Sequence, residues 1–223
     1  MFVGHFSAAL LAKRAAPRLS LGTAVFAAIL ADILSPLLVM AGIERIEFGP
    51  GRGAANYVRA IDVAFSHSLV TTLLWGGILA GLYLLTRRDR RGAAILFAAV
   101  TSHWVLDVVS HRPDMPLAPG IPTVLGLGLW TSIGATLIVE GGLWIAALIV
   151  YVRASRSANS AGRWVFWSGV FILTLFWYHN IAGAAPSRPA DAPMASLIFF
   201  VLATAWAYWM NRARVLKSDA ADR

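Results

Sequence analysis

The sequence predicts an all-α, polytopic membrane protein with about six transmembrane helices and an N-terminal re-entrant or interfacial helix. The 223-residue chain is 58% hydrophobic and only 13% charged, which is far from the composition of soluble domains. Several apolar runs reach the roughly 20 residues that a helix needs to cross a bilayer. The basic residues lie mainly at the ends of these runs, as expected for charges that set membrane topology.

The predicted spans follow one another with short polar connections. The first span carries Asp32 near its middle and Pro36 one turn later. Residues 44–64 are predicted to be a polar loop with a glycine-rich turn at 49–53. The proline-rich stretch 112–126 cannot be a regular helix. The six spans are predicted at residues 20–43, 65–86, 93–110, 127–152, 164–184 and 194–211.

Residues 2–12 are apolar but too short to cross a bilayer, and a basic turn at 13–20 follows them. A cleaved signal peptide is disfavoured because the next apolar run, 20–43, is too long for its hydrophobic region. Two arrangements remain open for residues 2–12. They either fold back into the membrane as a half-helix that brings His5 near Asp32, or form an interfacial amphipathic anchor.

The distribution of lysine and arginine predicts the orientation of the chain. The net charge is +8, and a basic balance sometimes indicates nucleic-acid binding. Here 14 of the 19 basic residues lie in segments on one side of the predicted bilayer, which include both chain ends, and 5 lie on the other. By the positive-inside rule both termini are cytoplasmic. The 44–64 loop is the exception to this pattern, because it holds three of the five basic residues on the other side.

The third span ends in the motif on which the functional prediction depends. His103, Asp107 and His111 recur at every fourth residue, so on a helix they project from one face over roughly 12 Å. Ionisable groups inside a membrane segment are costly and tend to pair, line a cavity or bind a ligand. The alternative is a cluster at a helix end, with His111 and Asp114 simply facing water.

Four further ionisable residues lie in or beside the predicted spans, namely His5, Asp32, His67 and Glu140. Each has a structural alternative: Asp32 could cap backbone freed by the nearby proline, Glu140 could bond to a neighbouring helix, and His67 could mark an ordinary helix start beside serine. An unpaired charge at mid-bilayer costs at least about 2.5–3.5 kcal/mol. Because several such residues occur together, we expect them to share a site.

The chain has no cysteine, so only histidine and carboxylate side chains are available as metal ligands. Catalytic zinc sites combine about three such ligands with an open position for water, and a divalent cation makes that water a better nucleophile. A nearby carboxylate then takes the proton. Glu140 is the candidate base.

Several short motifs occur together in the first two thirds of the chain. They are Gly4-His5, Ala31-Asp32, Ser66-His67-Ser68, the stretch from Ser102-His103 to Asp114, and Leu127-Gly-Leu-Trp-Thr-Ser132 with Glu140. Together they resemble the bacterial inner-membrane metal-dependent hydrolase family of the YdjM type over roughly residues 1–150. The resemblance implies a metal-dependent hydrolase in the inner membrane and names no substrate.

We therefore predict a single integral-membrane domain, residues 1–211, followed by a polar cytoplasmic tail, 212–223. The predicted activity is metal-dependent hydrolysis of a lipid or other membrane-accessible ester or phosphoester, with zinc as the metal and manganese as the alternative. Nucleic acid is not expected as a partner. The rival hypotheses are a proton- or metal-coupled transporter and a structural protein whose polar cluster holds helices together. The predicted metal ligands are His5, Asp32, His67, His103, Asp107 and His111, and the predicted catalytic carboxylates are Glu140 and Asp114.

Overall fold

A computed structural model gives the fold of the chain and describes residues 1–48, 55, 58–182 and 188–217. Within these ranges the helices are α1 (Phe2–Ala15), α2 (Leu21–Ala28), α3 (Leu30–Met40), α4 (Ala64–His67), α5 (Leu69–Arg87), α6 (Arg90–Ser110), α7 (Ile133–Ala154), α8 (Ser160–Ala182) and α9 (Ala192–Ala213). The strands are β1 (Arg45–Phe48), β2 (Val58–Asp62), β3 (Met115–Pro116), β4 (Val124–Leu125), β5 (Ser155–Ser157) and β6 (Arg214–Leu216).

Side-chain caps explain where several of the helices begin. The side-chain oxygens of Ser20, Ser68, Asp89 and Ser132 each accept a hydrogen bond from the backbone N–H three residues later, at the starts of α2, α5, α6 and α7. Such a cap satisfies one of the amides that the first turn leaves unpaired. The helix starts are therefore encoded locally in the sequence.

Five helices, α5 to α9, are long and apolar enough to cross a membrane, and α2 with α3 forms a sixth span if this bent pair is counted as one. Large apolar side chains such as Leu85, Ile138 and Phe171 are more than half exposed on their outer faces. An outward apolar surface of this kind suits contact with lipid tails. The prediction of an all-α polytopic protein with about six spans is confirmed.

The first predicted span, residues 20–43, is divided into two helices. The axes of α2 and α3 differ by 53°, and the break falls at Ile29, whose φ is −113° and ψ is 19°. Proline is the usual cause of a sharp kink, but Pro36 lies inside α3, seven residues after the break. The bend therefore has a tertiary origin, and it leaves the end of α2 beside α6.

The N-terminal helix α1 lies inside the bundle, where it packs mainly against α7, α2 and α6. Val3 and Ala9 are fully buried, and so is the polar Ser7, whose hydroxyl donates to the carbonyl of Val3. A helix that is buried on several sides does not behave as an amphipathic surface anchor. Of the two arrangements open for residues 2–12, the enclosed one is observed.

Short two-stranded ribbons replace irregular chain in three places. The predicted polar loop 44–64 contains the antiparallel pair β1–β2, whereas residues 49–54, 56 and 57 lie outside the described part. The proline-rich stretch contains β3–β4. The first residues of the expected polar tail, 212–217, continue α9 to Ala213 and then pair β6 with β5, with Leu216 buried; residues 218–223 lie outside the described part. Polar composition alone does not reveal such pairing, because each strand depends on a distant partner.

Two glycines distinguish helix packing from lipid exposure. A Cβ added to Gly169 of α8 would lie 2.1 Å from the indole of Trp206 on α9, and this ring is held by a 3.0 Å hydrogen bond from its Nε1 to the carbonyl of Val165. A Cβ on Gly142 of α7 would meet no heavy atom within 4 Å. Small residues of the first kind let helices approach closely.

We expect Gly169→Ala to lower the free energy of unfolding by about 1–3 kcal/mol, because the ring must shift to admit the methyl group. Gly142→Ala is the matched control, and it should leave stability unchanged or raise it by up to about 1 kcal/mol through helix propensity. Unfolding of both variants in one detergent measures the difference. Equal stability would contradict the close packing of α8 on α9.

Candidate metal centre

Five of the predicted ligands, contributed by four helices, converge at one place in the bundle. Their donor atoms form two overlapping groups, each with all three atoms within 4.8 Å of one another. One group is His5, His103 and Asp107, and the other is Asp32, His67 and His103. Residues far apart in sequence, from α1, α3, α4 and α6, are thus brought together as predicted.

The carboxylates lie between the imidazole rings. Asp107 Oδ2 is 3.1 Å from His103 Nε2 and 3.9 Å from His67 Nε2. Asp32 Oδ1 is 3.8 Å and 3.7 Å from the same two nitrogens. For comparison, four ligand atoms placed tetrahedrally at about 2.1 Å from an ion lie about 3.4 Å from one another. The observed spacings bracket this value.

The break between α2 and α3 fixes the tautomer of His103. Its Nδ1 lies 2.8 Å from the carbonyl oxygen of Ala28, the last residue of α2. A carbonyl only accepts, so Nδ1 carries the proton and the neutral ring presents its lone pair at Nε2. Metal-ligating histidines commonly donate their other ring N–H to a backbone carbonyl in this way.

The Nε2 atom of His103 is buried and forms no hydrogen bond within the described part of the chain, although the carboxylate of Asp107 lies nearby. A buried lone pair that faces carboxylate oxygens is unfavourable unless a cation or a proton lies between them. Either a proton on Nε2 or a bound cation would satisfy this pair, and Asp32 Oδ1, 3.8 Å from the same nitrogen, lies close enough to share a cation.

His67 has the same tautomer for a different reason. The hydroxyl of Ser66 donates to Glu44 Oε2 at 2.7 Å, so its single proton is already used. The 2.6 Å contact between Ser66 Oγ and His67 Nδ1 is therefore donated by the ring. The lone pair of His67 lies at Nε2, on the side of Asp32 and Asp107.

His5 completes the cluster from α1. Its ring stacks on that of His103 with centroids 3.7 Å apart and planes 6° apart, and its Nε2 is 3.1 Å from Asp107 Oδ1. The amino group of Met1 donates to the same carboxylate oxygen and lies 3.2 Å from His5 Nε2. This edge of the cluster thus accommodates a positively charged group.

The two catalytic carboxylates predicted from the sequence, and His111, lie apart from these donor groups. His111 belongs to neither group among the described residues. Its Nδ1 is 3.0 Å from Asp114 Oδ1, and its ring lies 4.6 Å from that of Trp130. Trp130 Nε1 in turn donates to Glu140 Oε2 at 3.4 Å, which joins both predicted carboxylates to one aromatic side chain.

Glu140 is fully buried. Its other oxygen accepts from the backbone N–H of Gly4 at 3.3 Å, next to His5 in the sequence. Both of its hydrogen bonds are longer than the usual 2.9–3.0 Å, so the carboxylate keeps spare acceptor capacity. No ion pair of Glu140 occurs among the residues that the structure describes.

A cavity of about 610 Å³ lies directly against the cluster. His5, Asp32, His67 and Asp107 line it, and so does Glu140. The rest of the lining is mostly apolar and comes from the ends of α8 and α9, the β1–β2 ribbon and the first residues of α1. Its volume is typical of small-molecule sites, which are mainly apolar with a few convergent polar groups.

Sequence reasoning missed two contributors to the centre. Glu44 falls at the start of the predicted polar loop 44–64, yet it is buried and bonded to Ser66. The second contributor is the Ala28 carbonyl, which contacts His103. Nothing in the sequence of α2 predicts the break at Ile29 that makes this carbonyl available. The sequence signal for Glu44 is its position: it is a carboxylate just after a predicted span, 22 residues before Ser66.

Chemical labelling of the histidines tests this geometry. His5 and His103 are almost fully buried, His67 Nε2 lies beside the cavity, and His179 is exposed. With diethyl pyrocarbonate and peptide mass spectrometry, we expect His179 to react with or without zinc. His67 should react only without zinc, because an ion on Nε2 occupies the reactive lone pair.

In this experiment His179 is the internal control for reagent and for accessibility. Labelling of His67 to the same extent in both conditions, with His179 unchanged, would contradict a cation site at this nitrogen. Reaction of His103 in the folded protein would contradict its burial.

Comparison of the chain with protein-family models gives no match, and comparisons with curated proteins and with solved structures give none.

Proposed function

We propose that this protein is a metal-dependent hydrolase of the membrane that acts on a lipid or another membrane-accessible ester or phosphoester. The observation that supports the proposal best is the pairing of a buried histidine–carboxylate cluster with the cavity of about 610 Å³ that adjoins it. The cluster supplies metal ligands, and the cavity supplies space for an apolar substrate. Neither feature alone would distinguish an enzyme from a structural protein.

The proposed ligands are His67 and His103 through Nε2, together with the carboxylates of Asp32 and Asp107 and, at the edge, His5. Nitrogen and oxygen donors without thiolate suit zinc, and manganese remains the alternative. When bound, a divalent cation here polarises an ester or phosphoryl oxygen and makes adjacent water more acidic. Two aspartates offset much of its charge, which lowers the cost of the filled site at membrane depth.

Glu140 is the proposed proton acceptor. Its side chain lines the cavity and accepts a hydrogen bond from the backbone of Gly4, the residue before His5. Its hydrogen bonds are long enough to leave acceptor capacity for water. A positioned carboxylate of this kind contributes about 10²–10⁴-fold to proton-transfer steps. Asp114 acts on His111 instead, by orienting its ring beside Trp130.

The cavity walls favour a substrate with an apolar portion. The ring centroids of Phe176 and Phe200 lie 4.1 Å and 5.5 Å from that of Phe199, and the ring of Phe2 lies 5.3 Å from Phe176. All four rings line the cavity. An acyl chain packs well against such rings. These phenylalanine rings exclude water from the apolar portion of the substrate, and the polar cluster contacts its ester or phosphoester group.

The motifs shared with the YdjM-type hydrolases support the same function, and we propose that the chain belongs to that family. On this proposal the protein resides in the bacterial inner membrane. We propose further that both termini lie in the cytoplasm, because most lysine and arginine residues fall on the side of the termini, and that the cluster opens toward the outer side. A proteolysis or tag-accessibility experiment on each terminus tests the orientation.

Metal content is the first test of the proposed function. We expect the detergent-purified protein to retain about one equivalent or more of zinc or manganese by mass spectrometry, because the cluster offers at least the three protein ligands of a catalytic zinc site. The double variant His103→Ala/Asp107→Ala should retain none. His179→Ala is the matched control, because this histidine lies outside both donor groups.

The absence of metal from the folded parent, after incubation with each cation, would overturn the hydrolase proposal. A parent that binds metal but moves it across liposome membranes, with the flux abolished by Asp107→Asn, would support the transporter hypothesis instead.

Glu140→Gln separates chemistry from binding. The amide keeps the volume of the side chain and cannot accept a proton, so we expect hydrolysis of acyl esters or phosphoesters to fall by about 10²-fold or more. Metal content should remain at the parent value. Turnover in a screen of lipid-like esters and phosphoesters measures the first quantity. Unchanged turnover would remove Glu140 from the catalytic role.

A further inference from the structure

Glu44 is a buried carboxylate that belongs to neither donor group of the candidate centre. It lies in the turn that follows α3 (Leu30–Met40) and is only 4% exposed. No ion pair joins it to another residue within the described ranges. A carboxylate buried in this way costs free energy unless several hydrogen bonds stabilise it. The partners in these hydrogen bonds therefore indicate the role of Glu44.

Among the described residues, the three hydrogen bonds of the Glu44 side chain all go to the start of the segment that carries His67. Its Oε1 accepts from the backbone N–H of Phe65 at 3.0 Å and from that of Ser66 at 2.7 Å. Its Oε2 accepts from the Ser66 hydroxyl at 2.7 Å. The carboxylate thus holds α4 in place and also fixes the direction of the serine O–H bond.

The orientation of the Ser66 O–H bond determines which nitrogen of the His67 ring carries the proton. A serine hydroxyl has one proton and two lone pairs, and the proton points at Glu44. The lone pairs of Ser66 therefore receive Nδ1–H of His67, and the ring nitrogen on the other side, Nε2, is left unprotonated. Outer partners of this type orient a ligating histidine and increase its basicity.

We propose that Glu44 and Ser66 are positioning residues that hold His67 as the Nδ1–H tautomer, with Nε2 free to bind a divalent cation. This inference rests on the proposed metal-dependent function. On this proposal Glu44 and Ser66 orient a metal ligand, and neither is a metal ligand itself. The competing explanation is that Glu44 only satisfies the two backbone amides.

Glu44→Gln separates these explanations because it reverses one hydrogen bond. The amide oxygen can still accept from both backbone N–H groups, as Oε1 does now. The amide nitrogen must then donate to Ser66 Oγ. The serine proton is turned toward His67 Nδ1, the ring proton moves to Nε2, and the lone pair that faces Asp32 and Asp107 is lost.

The test measures tautomer and metal affinity in the full chain in detergent. Nitrogen-15 spectra of the imidazoles are tractable because the chain has 5 histidines, and His67→Gln identifies the signal. We expect Nδ1–H for His67 in the metal-free parent and Nε2–H in Glu44→Gln. Zinc affinity, measured by competition with a chelating dye, should fall about 10–100-fold in Glu44→Gln and in Ser66→Ala.

Ser68→Ala is the matched control for Ser66→Ala. Ser68 is equally buried, but its hydroxyl accepts from Thr71 N–H as the cap of α5. Its replacement should lower thermal stability and leave zinc affinity and the His67 tautomer unchanged. A loss of affinity in the control equal to that in Ser66→Ala would show a general packing effect and overturn the proposal.

The outcomes for this inference and for the proposed function are distinct. Parent-like zinc affinity and an unchanged tautomer in both variants would overturn the positioning role and leave the metal site intact. A parent that binds no cation would overturn the metal function. Even then, the tautomer of His67 in the metal-free parent and in Glu44→Gln decides whether the carboxylate sets the proton position.

Discussion

Two carboxylates that face the Nε2 atoms of two buried imidazoles are the constraint on which the rest of the structure depends. Asp32 and Asp107 lie against Nε2 of His67 and His103, inside a bundle whose outer surface is apolar. The Nδ1–H groups of both rings are already used, by the Ala28 carbonyl and by Ser66, and the amino group of Met1 pairs with Asp107. Removing such groups from water is costly unless they are well paired, and a shared cation is the pairing that we propose.

The irregular parts of the fold supply this arrangement. The break at Ile29 presents a carbonyl to His103, and the same break directs α3 so that Asp32 reaches the cluster. Burial of α1 among α2, α6 and α7 brings His5 onto the ring of His103. The turn between α3 and β1 brings Glu44 to Ser66. The regular helices provide the membrane frame, while the departures from regularity orient the donors.

The cavity gives this polar cluster a chemical context. Aromatic side chains near the ends of α8 and α9 line it together with the histidines and carboxylates. An ester or phosphoester with an apolar tail would meet both surfaces at once. The buried Glu140 adds a proton acceptor with weakly used oxygens. This combination favours an enzyme over a cluster that only links helices, because helix linkage needs neither a cavity nor a free carboxylate.

The sequence by itself determined the membrane class, the approximate spans, and five residues that converge, because long apolar runs, helix caps and a four-residue spacing are local signals. It also predicted His111 as a ligand; this residue lies outside both donor groups among the described residues, with its Nδ1 against Asp114, and its role as a ligand stays a prediction. Only the tertiary structure decided the enclosed position of α1, the bend at Ile29, the β1–β2 ribbon and the bond from Glu44 to Ser66. These features depend on contacts between residues distant in sequence, and the proton positions at His67 and His103 follow from those contacts alone.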